Sequence, residues 1–460
     1  MEWSFRRISK YGVVHGKCDK GIGIDVHQNG LVCCFLIGTG DQVLTEKASF
    51  KADYPALEKL KDWCCKSDPE LILMESTGVY WQSPYSILER AGLPVYVVNP
   101  SHVKRMIGRK TDMSDAEWLA QVGRLGCYIP SYIPSELFRN LRSNSRGLTK
   151  DIQTYKSYKN RETKSFVSAG YRLNVFSDQF GKTAMIVKDA ILKGKTAEQI
   201  VNLLEKDHPS RFKQLKSTKE ELLTAFNGHL TEDIKNLILH DRETLIFFES
   251  KIASAKRDLI ARVEELDKVT FFHLQTIPGI DAFSAAQIMI ENGDREQFVS
   301  SFHSADKYSS WLGVCPGNNE SAGKRKSGRC RKGNQYLRRI LCESAQAARR
   351  TKNTTLKSKY DSLVIRLGKK RSVFAIAHKI AKLIYYVYLH ERAYIDPNVD
   401  YKALSCKKNR ARWVKQLLAC EDVDIVVTDK KTGEVFSSEL YREERAKQTW
   451  VRLQNVVANT

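Results

Sequence analysis

Zinc-ligand spacing is missing from this chain. Its eleven cysteines include no C-x-x-C pair, only the adjacent pairs Cys33-Cys34 and Cys64-Cys65, and the odd count closes no disulfide framework. Cys315, Cys330 and Cys342 are near one another in sequence, again without ligand spacing. The thiols read as reduced core or surface residues of a cytoplasmic protein. No apolar run long enough to cross a bilayer is evident. The opening stretch MEWSFRRISKYGVVHG lacks the apolar segment of a secretory signal. Internal repeats and low-complexity segments are missing too. Acid is scarce relative to base: 53 Asp and Glu against 75 Lys and Arg leave a formal charge of +22. Such an excess points to a polyanionic partner, nucleic acid well ahead of an anionic membrane.

What is present suits a folded protein. The chain has 460 residues, 42% hydrophobic and 10% aromatic, enough for two or three domains and a sizeable core. GIGIDVH (21–27), LVCCFLI (31–37) and QVLTEKASF (42–50) read as strands joined by tight turns. A helix over 54–66, a short buried strand ELILME (70–75), a helix over 79–92 that contains Pro84, and a strand PVYVVNP (94–100) follow. The basic loop HVKRMIGRK (102–110) then leads into a helix. This order, βββαβαβ-loop-α, predicts one mixed sheet covered by helices over residues 1–134. From 135 to 268 strand signals vanish, and long amphipathic helices predict an arm, with Leu237, Leu245, Phe248, Ile252 and Leu259 on one face. A coiled-coil pair and a plain helical subdomain are both compatible with that pattern. Residues 269–397 read as mainly helical, and 398–460 as an extension of unknown role with a hairpin near 424–436.

Four carboxylates stand out. Asp25 lies within the first strand, Glu75 closes the fourth, and Asp112 and Asp115 open a helix after the fifth. Asp25 and Glu75 meet only if the first and fourth strands are neighbours. A spacing of three puts Asp112 and Asp115 on one helical face. Each acid alone reads as structural: Asp112 as a helix cap, Asp115 as a dipole partner, Asp25 as an edge residue. Brought together they would repel unless cations neutralised them, and hard oxygen donors suit Mg²⁺ or Mn²⁺. Two such ions can stabilise the attacking and leaving oxygens of a phosphoryl transfer. Lys104, Arg105, Arg109 and Lys110 would hold phosphates nearby. The context resembles the RNase H-like fold of RuvC-type resolvases.

A second dense stretch is NNESAGKRKSGRCRKGNQYLRR. Residues 321–350 hold ten Lys and Arg against one Glu. Ser321 precedes Lys324, Arg325 and Lys326, with Arg329, Arg331, Lys332 and Asn334 beyond. By composition this is a basic loop on nucleic acid, with Ser321 a bystander. Cations beside a serine would equally stabilise charge on an attacked phosphate. IPGI (277–280) between two helices resembles a helix-hairpin-helix element, whose backbone around Gly279 can take a phosphate.

GIDVHQNG, MESTGVYWQSPYSILERAGLPVYVVNP and KTDMSDAEWLA resemble the amino-terminal domain of DEDD insertion-sequence transposases. LQTIPGIDAFSAAQIMIE, WLGVCPGNNESAGKRKSG, RKGNQYLRRIL and AIAHKIAKLIYYVYLHERAYIDP resemble the serine-bearing domain of the same family, in family order. The resemblance implies an RNase H-like domain, a helical arm and a serine domain in a recombinase that moves a bacterial mobile element. It implies guidance by a structured bridge RNA paired with donor and target DNA, and dimers assembling into a synaptic tetramer. Asp25, Glu75, Asp112 and Asp115 become catalytic metal ligands, and Ser321, in the segment after GVCP, becomes a nucleophile forming a phosphoserine link. NNE before Ser321 departs from many relatives, so Ser327 is the alternative position. Two rivals stand beside this reading: a metal-dependent junction nuclease using water, and a non-catalytic nucleic-acid-binding regulator.

Overall fold

The computed structural model describes residues 7–9, 12–14, 18–38, 43–76, 78–103, 114–317, 319–321, 324–328, 330, 332–401, 403–404, 424, 426–428, 433 and 435–444. It divides into two compact units, Met1–Glu136 and Leu137–Thr460.

The first unit opens with a short antiparallel hairpin, β1 (Arg7–Ser9) and β2 (Gly12–Val14), which the sequence pattern does not announce. The main sheet is built from β3 (Lys20–Val26), β4 (Gly30–Ile37), β5 (Leu44–Lys51), β6 (Leu71–Glu75) and β7 (Val95–Val98) in the order β5-β4-β3-β6-β7. β3, β4 and β5 run antiparallel, whereas β6 and β7 continue parallel to β3. Three antiparallel strands followed by two parallel ones beside the first make the RNase H-like sheet. The expected adjacency of the Asp25 and Glu75 strands is therefore present. β3 and β6 read as nearly unbroken apolar runs because helices cover both their faces. One face carries α1 (Tyr54–Ser67) and α2 (Gln82–Arg90), packed on Ile22, Ile24, Ile72 and Met74. Asp53 caps α1 by accepting from the Ala56 amide at 3.0 Å. Pro84 is tolerated because it lies in the first turn of α2, where no intrahelical N–H is lost. After α3 (Pro100–Val103), α4 (Asp115–Arg124) covers the other face, on Leu71, Leu73 and Val98.

In the second unit α5 (Glu136–Ser168) and α10 (Glu232–Leu266) run antiparallel, tied by Arg161–Asp241 at 2.7 Å and Asp151–Lys251 at 3.0 Å. On α10 the buried positions Ile238, Leu245, Ile252 and Leu259 recur every seventh residue, the seam of a coiled coil. Leu237, expected on that face, is 44% exposed, and Ile238 takes its place. The far end carries a small helical cluster: α6 (Lys182–Leu192), α7 (Ala197–Asp207), α8 (Pro209–Phe212) and α9 (Lys219–Ala225). It has its own core, in which Phe176 stacks on Phe226. The arm is thus both a coiled pair and a subdomain.

The rest comprises α11 (Lys268–Gln275), α12 (Ala282–Asn292), α13 (Arg295–Ser301), α14 (Ala305–Trp311), the strands β8 (Asn319–Ser321) and β9 (Lys324–Ser327), α15 (Gln335–Ala348) and α16 (Thr355–His390). Phe298, Phe302, Tyr308 and Tyr388 form its aromatic centre. By length and composition α16 passes for a membrane span, contrary to the expectation that no segment does. However, 56% of that window is buried inside the protein, and Gly368, at φ 74°, breaks the helix. Its buried residues Val373, Ile376, Ala377, Ile380, Ala381 and Ile384 follow core-helix spacing. β10 (Val426–Thr428) and β11 (Val435–Ser437) form the expected carboxy-terminal hairpin.

Candidate active site

Strand alternation decides where the acids point. In β3, Ile22, Ile24 and Val26 enter the core beneath α1 and α2, so Gly21, Gly23 and Asp25 face α4. In β6, Leu71 and Leu73 pack against α4, so Glu75 shares that face. The parallel register pairs Ile24 with Met74, which brings Asp25 beside Glu75 at the carboxyl ends of two neighbouring strands. α4 runs back over β3. Its last residue, Arg124, lies over Gly21, and Ala116 lies over Gly23, where a Cβ would come within 2.0 Å of the Ala116 oxygen. Asp115, one residue earlier, therefore enters at the Asp25 end. Three elements bring three carboxylates to one end and one face of the sheet.

The helix cap is not Asp112, the aspartate offered for that role. Ser114 caps α4, its Oγ accepting from the Glu117 amide at 3.3 Å, and Asp115 is the first helical residue. Glu75 is 7% exposed, and Asp25 is 16% exposed in its side chain. His27, which the sequence reading passed over, places Nε2 3.0 Å from Asp25 Oδ2. The Asp-x-His spacing on a strand was the available signal, since residues two apart share a face. Among the described residues no three His, Cys, Asp or Glu side chains are grouped so as to hold a metal ion. Carboxylate oxygens are nonetheless the donor type that a hard cation takes. Lys104, Arg105, Arg109, Lys110 and Asp112 lie outside the described residues, as do Arg329 and Arg331.

In the second unit the stretch expected to be a loop contains an antiparallel hairpin. Ser321 pairs with Lys324 and Glu320 with Arg325, with an irregularity between Asn319 and Glu320. Ser321 and Lys324 are the last paired positions before the turn, while Ser327 pairs with Asn319 beside the irregularity. The chain leaving the hairpin is pinned. At Gly333 a Cβ would lie 2.4 Å from the Gly313 nitrogen. Asn334 caps α15, accepting from the Tyr336 and Leu337 amides, and donates to Glu291 Oε2 at 2.8 Å. Expected to touch nucleic acid, Asn334 has both ends of its amide engaged within the fold. Glu291, 1% exposed, also takes two hydrogen bonds of 2.8 Å from Arg146. Arg146 in turn stacks on Tyr336 at 4.4 Å. Gly279, at φ 91°, sits where a Cβ would meet the Ser344 oxygen at 2.2 Å, so the turn packs tightly on α15. Lys332 is exposed.

All nine described cysteines are free. Burial pushes the thiols of Cys34 and Cys64 up, to about 11 and about 12, which leaves them inert at neutral pH.

Residues 22–167 match the DEDD transposases of the IS110 type, and residues 273–361 match the IS116/IS110/IS902 transposase family. The two matches together span about half of the chain and lie in this order. The chain belongs to the IS116/IS110/IS902 transposase family. The first match takes in Asp25, Glu75 and Asp115, and the second takes in the serine hairpin and the Gly279 turn. As a transposase of this family the chain acts on DNA. Among solved structures, Thermus thermophilus RuvC is similar over 24% of this chain and 98% of its own, at 15% identity and a TM-score of 0.19. No curated protein matches the chain by sequence.

Proposed function

We propose that this transposase cuts and rejoins donor and target DNA through a covalent phosphoserine at Ser321, guided by a structured noncoding RNA. The observation that carries the reading is that Asp25 and Glu75 lie at the ends of neighbouring strands on the sheet face covered by α4, whose first residue is Asp115. Capping and edge roles require no such common placement. In the proposed step the Ser321 oxygen bonds to phosphorus as the phosphodiester P–O bond breaks. The serine proton passes to a neighbouring base, and the departing strand oxygen takes up a proton. Attack by a different strand oxygen on the phosphoserine reverses the step and joins the new partner. Held by Asp25, Glu75, Asp112 and Asp115, Mg²⁺ or Mn²⁺ would supply charge neutralisation at the reacting phosphate. Lys324, whose backbone pairs with that of Ser321, opens the basic run that would neutralise charge at an attacked phosphate. The charge of +22 supports RNA and DNA as partners. The RNA guide and the synaptic tetramer rest on the family resemblance.

The test uses purified protein, the guide RNA, labelled donor and target DNA, and Mg²⁺. Denaturant-resistant, protease-sensitive protein–DNA adducts are expected with wild type. They should disappear in Ser321→Ala and in Asp112→Ala while RNA and DNA binding persist. Hydrolysed ends without adduct, unaffected by Ser321→Ala, would instead establish a nuclease that uses water.

A further inference from the structure

A cleft of about 1010 Å³ opens between α5, α10, the amino end of α12 and α15. That is at the upper end of the roughly 300–1,000 Å³ typical of ligand pockets. The Gly279 turn lines it, whereas neither the acids nor the serine do. Lys156, Lys159, Lys256 and Arg339 face it, against Glu249, Asp281 and Glu343. Asp281 also caps α12 by accepting from the Ser284 amide at 2.8 Å, and Glu343 lies 3.8 Å from Arg339 Nε. Four cations thus face three acids.

Between them the walls are apolar and aromatic. Lys159 Nζ sits 4.7 Å over the Tyr155 ring, and Lys256 Nζ sits 4.8 Å over Phe283. One buried donor on α15 is left without a hydrogen-bond partner: Oγ of Ser344, a residue 2% exposed. Buried polar atoms of this kind are normally satisfied, so this hydroxyl is free to bond an occupant of the cleft. Cations set over aromatic rings and apolar walls are what a nucleic-acid strand requires, with phosphates on the ammonium groups and bases against the rings.

We propose that this cleft binds a short single-stranded segment of nucleic acid. The proposal rests on the reading of the chain as a nucleic-acid enzyme and adds a binding site that neither the acids nor the serine line. Lys156 and Lys256 take phosphates, Tyr155 and Phe283 take bases, and Ser344 supplies an inner hydrogen bond.

The experiment measures fluorescence anisotropy of the full chain with labelled single-stranded RNA, single-stranded DNA and duplex DNA of equal length. Lys156→Glu/Lys256→Glu should weaken single-strand binding roughly tenfold and lower the salt slope by about 1.4. Ultraviolet crosslinking of 5-iodouracil oligonucleotides to wild type, which needs no variant to fold, should label peptides containing Tyr155 or Phe283. Preference for RNA or for DNA identifies the strand, and either supports the site. Single-strand affinity within twofold of wild type in the double variant, or crosslinks confined to other peptides, overturns it. The Ser321 adduct is assayed on the same preparations. An adduct in wild type together with unchanged oligonucleotide binding in the variant rejects the cleft and leaves the transposition chemistry standing.

Discussion

A methyl group at position 23 would lie 2.0 Å from the Ala116 oxygen, so Gly23 is what allows α4 to rest on β3. Gly23→Ala should push α4 outward and carry Asp115 away from Asp25. We expect a loss of about 1–3 kcal/mol in urea unfolding, together with loss of DNA strand transfer. The neighbouring Ser114 and Asp115 separate capping from chemistry. Ser114→Ala should cost about 1 kcal/mol through the lost cap and keep substantial strand transfer. Asp115→Asn should cost only about 0.3–1 kcal/mol and abolish strand transfer. Equal activity in the two variants would return Asp115 to a helix-dipole role. Glu291 is the other sensitive residue. Glu291→Ala leaves Arg146 without its carboxylate, and about 3–5 kcal/mol of stability should go with it. The carboxylates were legible as types at telling positions. The cap was not, because Asp112, Ser114 and Asp115 all belong to residue types that cap, and only backbone geometry selects among them.

Among elements, α16 shows how its start is secured. Asp396, 41 positions beyond Thr355, accepts from the Thr355 amide at 3.1 Å and also from the Thr355 hydroxyl. It accepts from the Asn398 amide at 2.8 Å as well. Partial burial opposes ionisation of Asp396, but hydrogen bonds from Thr355, Asn398 and Tyr394 outweigh it and hold the carboxyl below its ordinary 3.8. A carboxyl depressed in the folded state contributes stability above its unfolded pKa, and that contribution fades as pH falls through the folded value. Wild type should therefore lose part of its margin over Asp396→Asn below about pH 4, as followed by thermal melts. The arm was legible as helical from its three-and-four spacing. That its helices pair was not, because pairing depends on contacts such as Arg161–Asp241 between residues 80 apart in sequence.

For the whole molecule, the surplus of cations makes association with nucleic acid salt-dependent. Lys332 is exposed after the hairpin; if it contacts phosphate, Lys332→Ala should lower the slope of log affinity against log salt by about 0.9 for duplex DNA. A slope equal to that of wild type would remove Lys332 from the interface. The order of elements from β3 to α4, the polyanionic partner and the residue types of the site follow from the chain alone, because hydrophobic period, net charge and carboxylate spacing are local properties. The meeting of Asp25 with Glu75 is of another kind, since it depends on β6 joining the sheet beside β3 and in parallel. So do the hairpin at Ser321, where a basic run gave no period to read, and the cleft, whose walls come from four helices distant in sequence. These belong to the tertiary structure because each is set by long-range packing, where strand register and helix crossing bring together residues that no local pattern links.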